Sequence, residues 1–124
     1  MRRPVEHLPS PFTAPEREVI RREFSPHFGA YPCLTDGIFL RTWRAGPQAG
    51  QPKLSPAIRS MLERGLVEIR WNPRSRVPYA CFTAAGLTAL RQLAQDRRAL
   101  DPVRFAHLRR ELGLQEEASE RLEG

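Results

Sequence analysis

Cysteine is scarce in this chain: Cys33 and Cys81 are the only two among 124 residues. They are too few for a disulfide framework and match no zinc-ligand spacing, so they are expected as reduced thiols in a cytoplasmic protein. Long apolar runs are missing as well. None approaches the roughly 18 residues that cross a bilayer, and Met1-Arg2-Arg3-Pro4 leads into Val5-Glu6-His7 instead of the apolar stretch of a signal peptide. Neither a membrane partner nor secretion is expected. His7, His27 and His107 are scattered, no Gly-rich phosphate loop follows a strand-like run, and no Gly-x-Ser-x-Gly elbow occurs. No metal, cofactor or catalytic group is expected, and the chain is read as a non-enzyme. Internal repeats and low-complexity tracts are also lacking.

What is present is one domain's worth of residues, 40% apolar and 27% charged, which calls for a single folded core. The net charge of +6 is unevenly spread. Residues 1–40 are neutral, 41–110 carry fourteen bases against four acids, and 111–124 carry five Glu against Arg121. Nineteen of the twenty bases are Arg, which suits bidentate phosphate and base-edge contacts, although a GC-rich genome produces the same bias. That bias leaves unexplained the lack of any acid from Gly37 to Leu62 and again from Ile69 to Gln95. Such asymmetry fits a polyanionic partner.

Residues 1–12, with Pro4, Pro9 and Pro11, form an extended arm in this reading. Thr13-Ala14-Pro15-Glu16 has capping-box form and predicts a helix from Ala14 to Phe24, with Val19, Ile20 and Phe24 inward. Thr35 could cap a second segment bearing Ile38, Phe39, Leu40 and Trp43, read as helix although a strand of this length also fits. Pro47 to Lys53 is read as loop. Ser55-Pro56 starts a short helix with Ile58, Met61 and Leu62 inward and Gly65 as its stop. Leu66–Trp71 and Val77–Thr83 read as a hairpin around the basic tip Asn72-Pro73-Arg74-Ser75-Arg76. Thr83 caps a helix carrying Leu87, Leu90, Leu93, Ala94 and reaching toward Leu100. Asp101-Pro102 starts the last one, with Val103, Phe105, Leu108 and Leu112. Residues 114–124 form an acidic tail, so the domain proper spans 13–113.

The stretch Ser55-Pro56-Ala57-Ile58-Arg59-Ser60-Met61-Leu62-Glu63-Arg64-Gly65-Leu66-Val67 resembles a recognition helix turning into a wing. Phe82-Thr83-Ala84-Ala85-Gly86-Leu87-Thr88-Ala89-Leu90 is similar to the segment that follows the wing. In this order, separated by a wing-sized hairpin, they resemble the winged-helix bacterial regulators of the MarR and PadR kinds, over roughly a third of the chain. The resemblance implies an α+β fold, a winged helix-turn-helix-like domain with extra N- and C-terminal helices. One departure is that the helix those families place before the recognition helix corresponds here to Pro47–Lys53, so that half of the motif is degraded or rebuilt.

The function so implied is binding of double-stranded DNA, as a small transcriptional regulator. Residues off the Ile58, Met61, Leu62 stripe, namely Ala57, Arg59, Ser60 and Glu63, are expected to face outward. Lys53, Ser55, Arg59, Ser60, Arg74 and Arg76 are the candidate DNA contacts: Arg59 and Ser60 toward bases, Lys53 toward the backbone, and the tip arginines toward the minor groove or its phosphates. Trp43 and Trp71 could stack on unpaired bases, but flanking apolar runs they are read as core. Surplus apolar surface on the helix after Asp101 points to a homodimer that would set two recognition helices on two half-sites. The rival reading is a winged-helix module that binds protein, as an adaptor or accessory subunit.

Overall fold

The structure, a computed structural model, describes residues 11–114; most of the expected arm and the acidic tail lie outside the described residues. The first helix, α1 (Ala14–Phe24), starts where the capping box places it. The Thr13 amide donates to Glu16 Oε1 at 2.8 Å and the Glu16 amide donates to Thr13 Oγ1 at 3.3 Å. Val19, Ile20 and Phe24 are buried. The end of the arm is not a free extension. Phe12 is 2% exposed within the core, Arg17 donates to its carbonyl at 2.8 Å, and Arg64 donates to that of Pro11 at 3.0 Å.

The segment expected as helix after Thr35 is instead a 3₁₀ turn, Leu34–Asp36, followed by a strand, β1 (Ile38–Phe39). Gly37 between them has φ 81°, which ends the turn. From there the side chains alternate: Ile38 and Leu40 are buried while Phe39 and Arg41 are exposed, a period of two that no helix can supply. Thr35 is no helix cap; its amide and hydroxyl face the Glu111 carboxylate.

The next helix, α2 (Pro56–Glu63), is capped by Ser55, whose hydroxyl accepts from the Ile58 amide at 3.2 Å. Ile58 and Met61 are buried as expected, Leu62 is only half-buried, and Ala57, expected outward, is buried. Gly65, at φ 76°, turns the chain into β2 (Val67–Trp71), which returns as β3 (Pro78–Phe82). β3 is central in a three-stranded antiparallel sheet ordered β1-β3-β2. Its inner residues Pro78, Ala80 and Phe82 face Trp71, Ile69 and Val67 in register. Thr83 caps α3 (Ala84–Ala94), its hydroxyl accepting from the Gly86 amide and donating to the Gly65 carbonyl. Helix and sheet meet so closely at Gly86 that a Cβ there would lie 2.0 Å from the Leu66 carbonyl oxygen. Leu100 reaches the core from a turn beyond α3 rather than from its stripe.

The last helix, α4 (Ala106–Glu111), starts later than Asp101-Pro102. The Asp101 carboxylate accepts from the amides of Val103 (2.7 Å) and Arg104 (3.2 Å), and this local alternative to a helical turn holds 102–105 as turns. Phe105, Leu108 and Leu112 are buried in their own domain, and Val103 alone of the expected four is exposed. Most of the apolar surface expected to pair two chains is therefore turned into the chain's own core, with Val103 left outside. Glu111 instead ties α4 back to the 3₁₀ turn, accepting from the Leu34 amide at 2.7 Å. The result is a small α+β fold whose described helices number four.

One charge lies inside it. Glu16 is fully buried, and its carboxylate accepts from the Thr13 amide, the Ser60 hydroxyl and the Arg64 guanidinium, joining α1 to α2. Burial pushes its pKa up, but the hydrogen bonds from Ser60, Arg64 and Thr13 outweigh that and hold it below the ordinary 4.5. A carboxyl depressed in the folded state contributes stability that is complete above its unfolded value and is lost as pH falls through the folded one. Denaturant titrations should therefore show stability falling below about pH 4.5, and Glu16→Gln should be less stable at neutral pH with a flatter acid limb. An acid limb unchanged by the substitution would contradict the role given to Glu16. Gly86→Ala, which on an exposed helix would gain stability, should here cost about 1–3 kcal/mol through overpacking; an unchanged thermal midpoint would contradict the close approach.

Candidate nucleic-acid interface

Strand direction decides where the basic residues gather. β1 runs antiparallel to β3, and the pairing continues past Phe39, with the Leu40 amide donating to the Pro78 carbonyl at 3.0 Å. The chain thus leaves β1 at the same end of the sheet where β2 ends and β3 begins. Two hairpins project there. The first spans Arg41–Lys53, the stretch whose second half was read as loop: the Lys53 amide donates to the Arg41 carbonyl at 2.7 Å, that of Trp43 to Gln51 at 2.9 Å, and that of Gly50 to Trp43 at 2.8 Å. Gly46 and Gly50, both at φ 87°, allow the reversal. This ribbon leads directly into the start of α2.

The second hairpin carries the basic tip. Asn72 Oδ1 accepts from the amides of Arg74 (2.8 Å) and Ser75 (3.2 Å), and the Arg76 amide donates to the Asn72 carbonyl at 2.7 Å. The side chain of Asn72 thereby shapes the turn that presents Arg74 and Arg76 to solvent. Arg76 sits at φ 58°, in the left-handed region. The turn is closed by the Asn72 amide donating to the Val77 carbonyl at 2.9 Å.

Of the residues expected to contact DNA, Lys53, Arg59, Arg74 and Arg76 are exposed. Among the described residues none of the four has a carboxylate partner within salt-bridge distance. Ser55 is exposed with its hydroxyl engaged as the α2 cap. Ser60 does not face out. Half-buried, it donates to Glu16 and lies 3.0 Å from the Ala57 carbonyl, because the roll of α2 is set by its seam with α1. Its hydroxyl belongs to the packing between helices and not, as expected, to the outward face of α2.

The structure adds Arg41 and Arg44, exposed on the ribbon and without an acid partner among the described residues. The acid-free run from Gly37 to Leu62 was their signal in the sequence. A groove of about 260 Å³ opens between α1, β1 and the start of α2, with Arg22, Arg41, Lys53 and Ser55 on its walls together with one acid, Glu23. Trp43 and Trp71, read as core, are 41% and 47% exposed at this same end. Trp43 lies under Lys53, whose Nζ is 4.8 Å from the ring centroid, which holds the ammonium on the ribbon. A second groove, between α1 and residues 98–105, is lined by Arg21, Arg22, Arg98 and Arg104 but also by Glu18 and Asp101.

Among the described residues no group of three His, Cys, Asp or Glu is placed to hold a metal, and no helix is long and apolar enough to cross a membrane. No protein-family model, curated protein or solved structure matches the chain.

Proposed function

We propose that this chain binds duplex DNA through a winged-helix surface in which the ribbon takes the place of the lost helix. The observation that carries the reading is the gathering of Arg41, Arg44 and Lys53 on one hairpin with Arg74 and Arg76 on the other, at one end of the sheet, none of them in an ion pair among the described residues. Five cations on two projections suit two flanking phosphate tracks, and α2, entering directly from Lys53 through Ser55, carries Arg59 between them. Arg59 is the base-reading side chain in this arrangement, since a guanidinium pairs with guanine through two hydrogen bonds. The helix, hairpin, helix order and the capped start of α2 support the winged-helix assignment, and a non-enzymatic regulator is the role it serves.

A protein partner is favoured by one observation elsewhere. Phe28 is fully exposed at φ 50° in the tight turn His27–Ala30, a strained backbone that presents an apolar ring to solvent. It belongs to neither basic hairpin.

Salt titrations of binding to random-sequence duplex separate the contributions. Arg41→Ala, Arg44→Ala, Arg74→Ala and Arg76→Ala should each weaken binding on all sequences and reduce the slope of log K against log salt by about one unit. Arg59→Ala should cost about 1–3 kcal/mol on a selected site and relax the preference at one base pair. Unchanged affinity and slope in a variant lacking all four hairpin arginines would overturn the proposal.

A further inference from the structure

The sheet has a second face, turned away from α2 and α3, and part of it is bare. Along β1 and β3 the buried residues Ile38 and Ala80 alternate with Phe39, 56% exposed, and Tyr79, half-buried. Phe39 is paired with Tyr79, and Tyr79 with Arg70 of β2, so one row crosses all three strands: Phe39, Tyr79, Arg70. The two rings stand edge to face, with centroids 6.1 Å apart at 67°. Arg41 follows Phe39 by two positions and shares its face, while Arg70 is exposed with an open pair to Glu68 at 2.8 Å. Toward the other end of the strands the same face is covered by Gly37, which lies over Cys81 and the base of the Tyr79 side chain, and carries Glu68 opposite Cys81, so the bare part is the part nearest the two hairpins.

We propose that this row is a stacking platform for an unpaired nucleic-acid strand, continuous with the duplex site on the hairpins. Every base has a π-face that an aromatic ring can meet, and a strand laid across Phe39 and Tyr79 would bring its phosphates to Arg41 and Arg70. A duplex hides those faces between its own base pairs, and an acidic partner without rings would leave Phe39 unused; two adjacent rings flanked by cations fit the chemistry of a single strand. The inference rests on the duplex reading for its neighbour and shares Arg41 with it, but stands on a different face and, in Phe39, Tyr79 and Arg70, on other side chains.

Fluorescence anisotropy with three probes tests it: a blunt duplex, the same duplex with an unpaired thymidine tail, and the tail strand alone. The tail should tighten binding about tenfold, equivalent to about 1.4 kcal/mol. Phe39→Leu, which keeps an apolar side chain and removes the ring, should abolish that gain and leave blunt-duplex affinity unchanged. Arg70→Ala, whose polar contact is an exposed pair, should also reduce the gain and keeps the test open if Phe39→Leu does not fold. No gain from the tail, or a gain that survives in both variants, overturns the platform. Binding of the tail strand with no binding of the blunt duplex, lost in Phe39→Leu, supports the platform and overturns the duplex reading instead.

Discussion

The buried carboxylate of Glu16 is the contact on which the arrangement of the two key helices depends. A charge removed from water must be paired and hydrogen-bonded, and the partners of Glu16 come from separate places: the amide of Thr13 before α1, and Ser60 and Arg64 on and just after α2. Arg64 also holds the carbonyl of Pro11, so the arm's end, α1 and the exit of α2 are tied to one point. This fixes the roll of α2 about its axis. Ser60 and Ala57 turn inward, Arg59 turns out, and Gly65 then sets the direction of β2.

From β2 onward the geometry is that of antiparallel pairing. Because β3 lies between β1 and β2, the loop leaving β1 and the turn joining β2 to β3 emerge at the same sheet end. Arginines far apart in the chain, Arg41 and Arg44 on one side and Arg74 and Arg76 on the other, are thereby concentrated. None of these four arginines forms an ion pair among the described residues, and like charges brought to one end of a sheet favour an anionic partner.

Local signals were legible. Thr13, Ser55 and Thr83 each name a helix start because a cap depends on one side chain and an amide two or three positions on, and Gly65 marks a stop because a left-handed residue is needed there. The hairpin around Asn72 was legible for the same reason. What could not be read depended on distant partners. The apolar residues Ile38 to Leu40 suit either helix or strand until β3 arrives from the far side of the hairpin to pair with them. Ser60 looked free because Glu16, its partner, lies in another helix. The ribbon is held by backbone hydrogen bonds that leave no mark on side-chain pattern, and with it went the placement of Arg41, Arg44 and the exposed Trp43. Asp101 resembled a cap, yet its carboxylate holds a turn and delays α4 to Ala106.

The surface assignment is tested most directly by following backbone amide resonances of the full chain as duplex DNA is added. Shifts concentrated in residues 41–53, at the exposed side of α2 around Arg59, and in residues 72–76 are the expected result, diminishing as salt is raised. Shifts gathered instead along the groove of Arg21, Arg98 and Arg104, or no shifts at low salt, would contradict the assignment of the sheet end as the nucleic-acid surface.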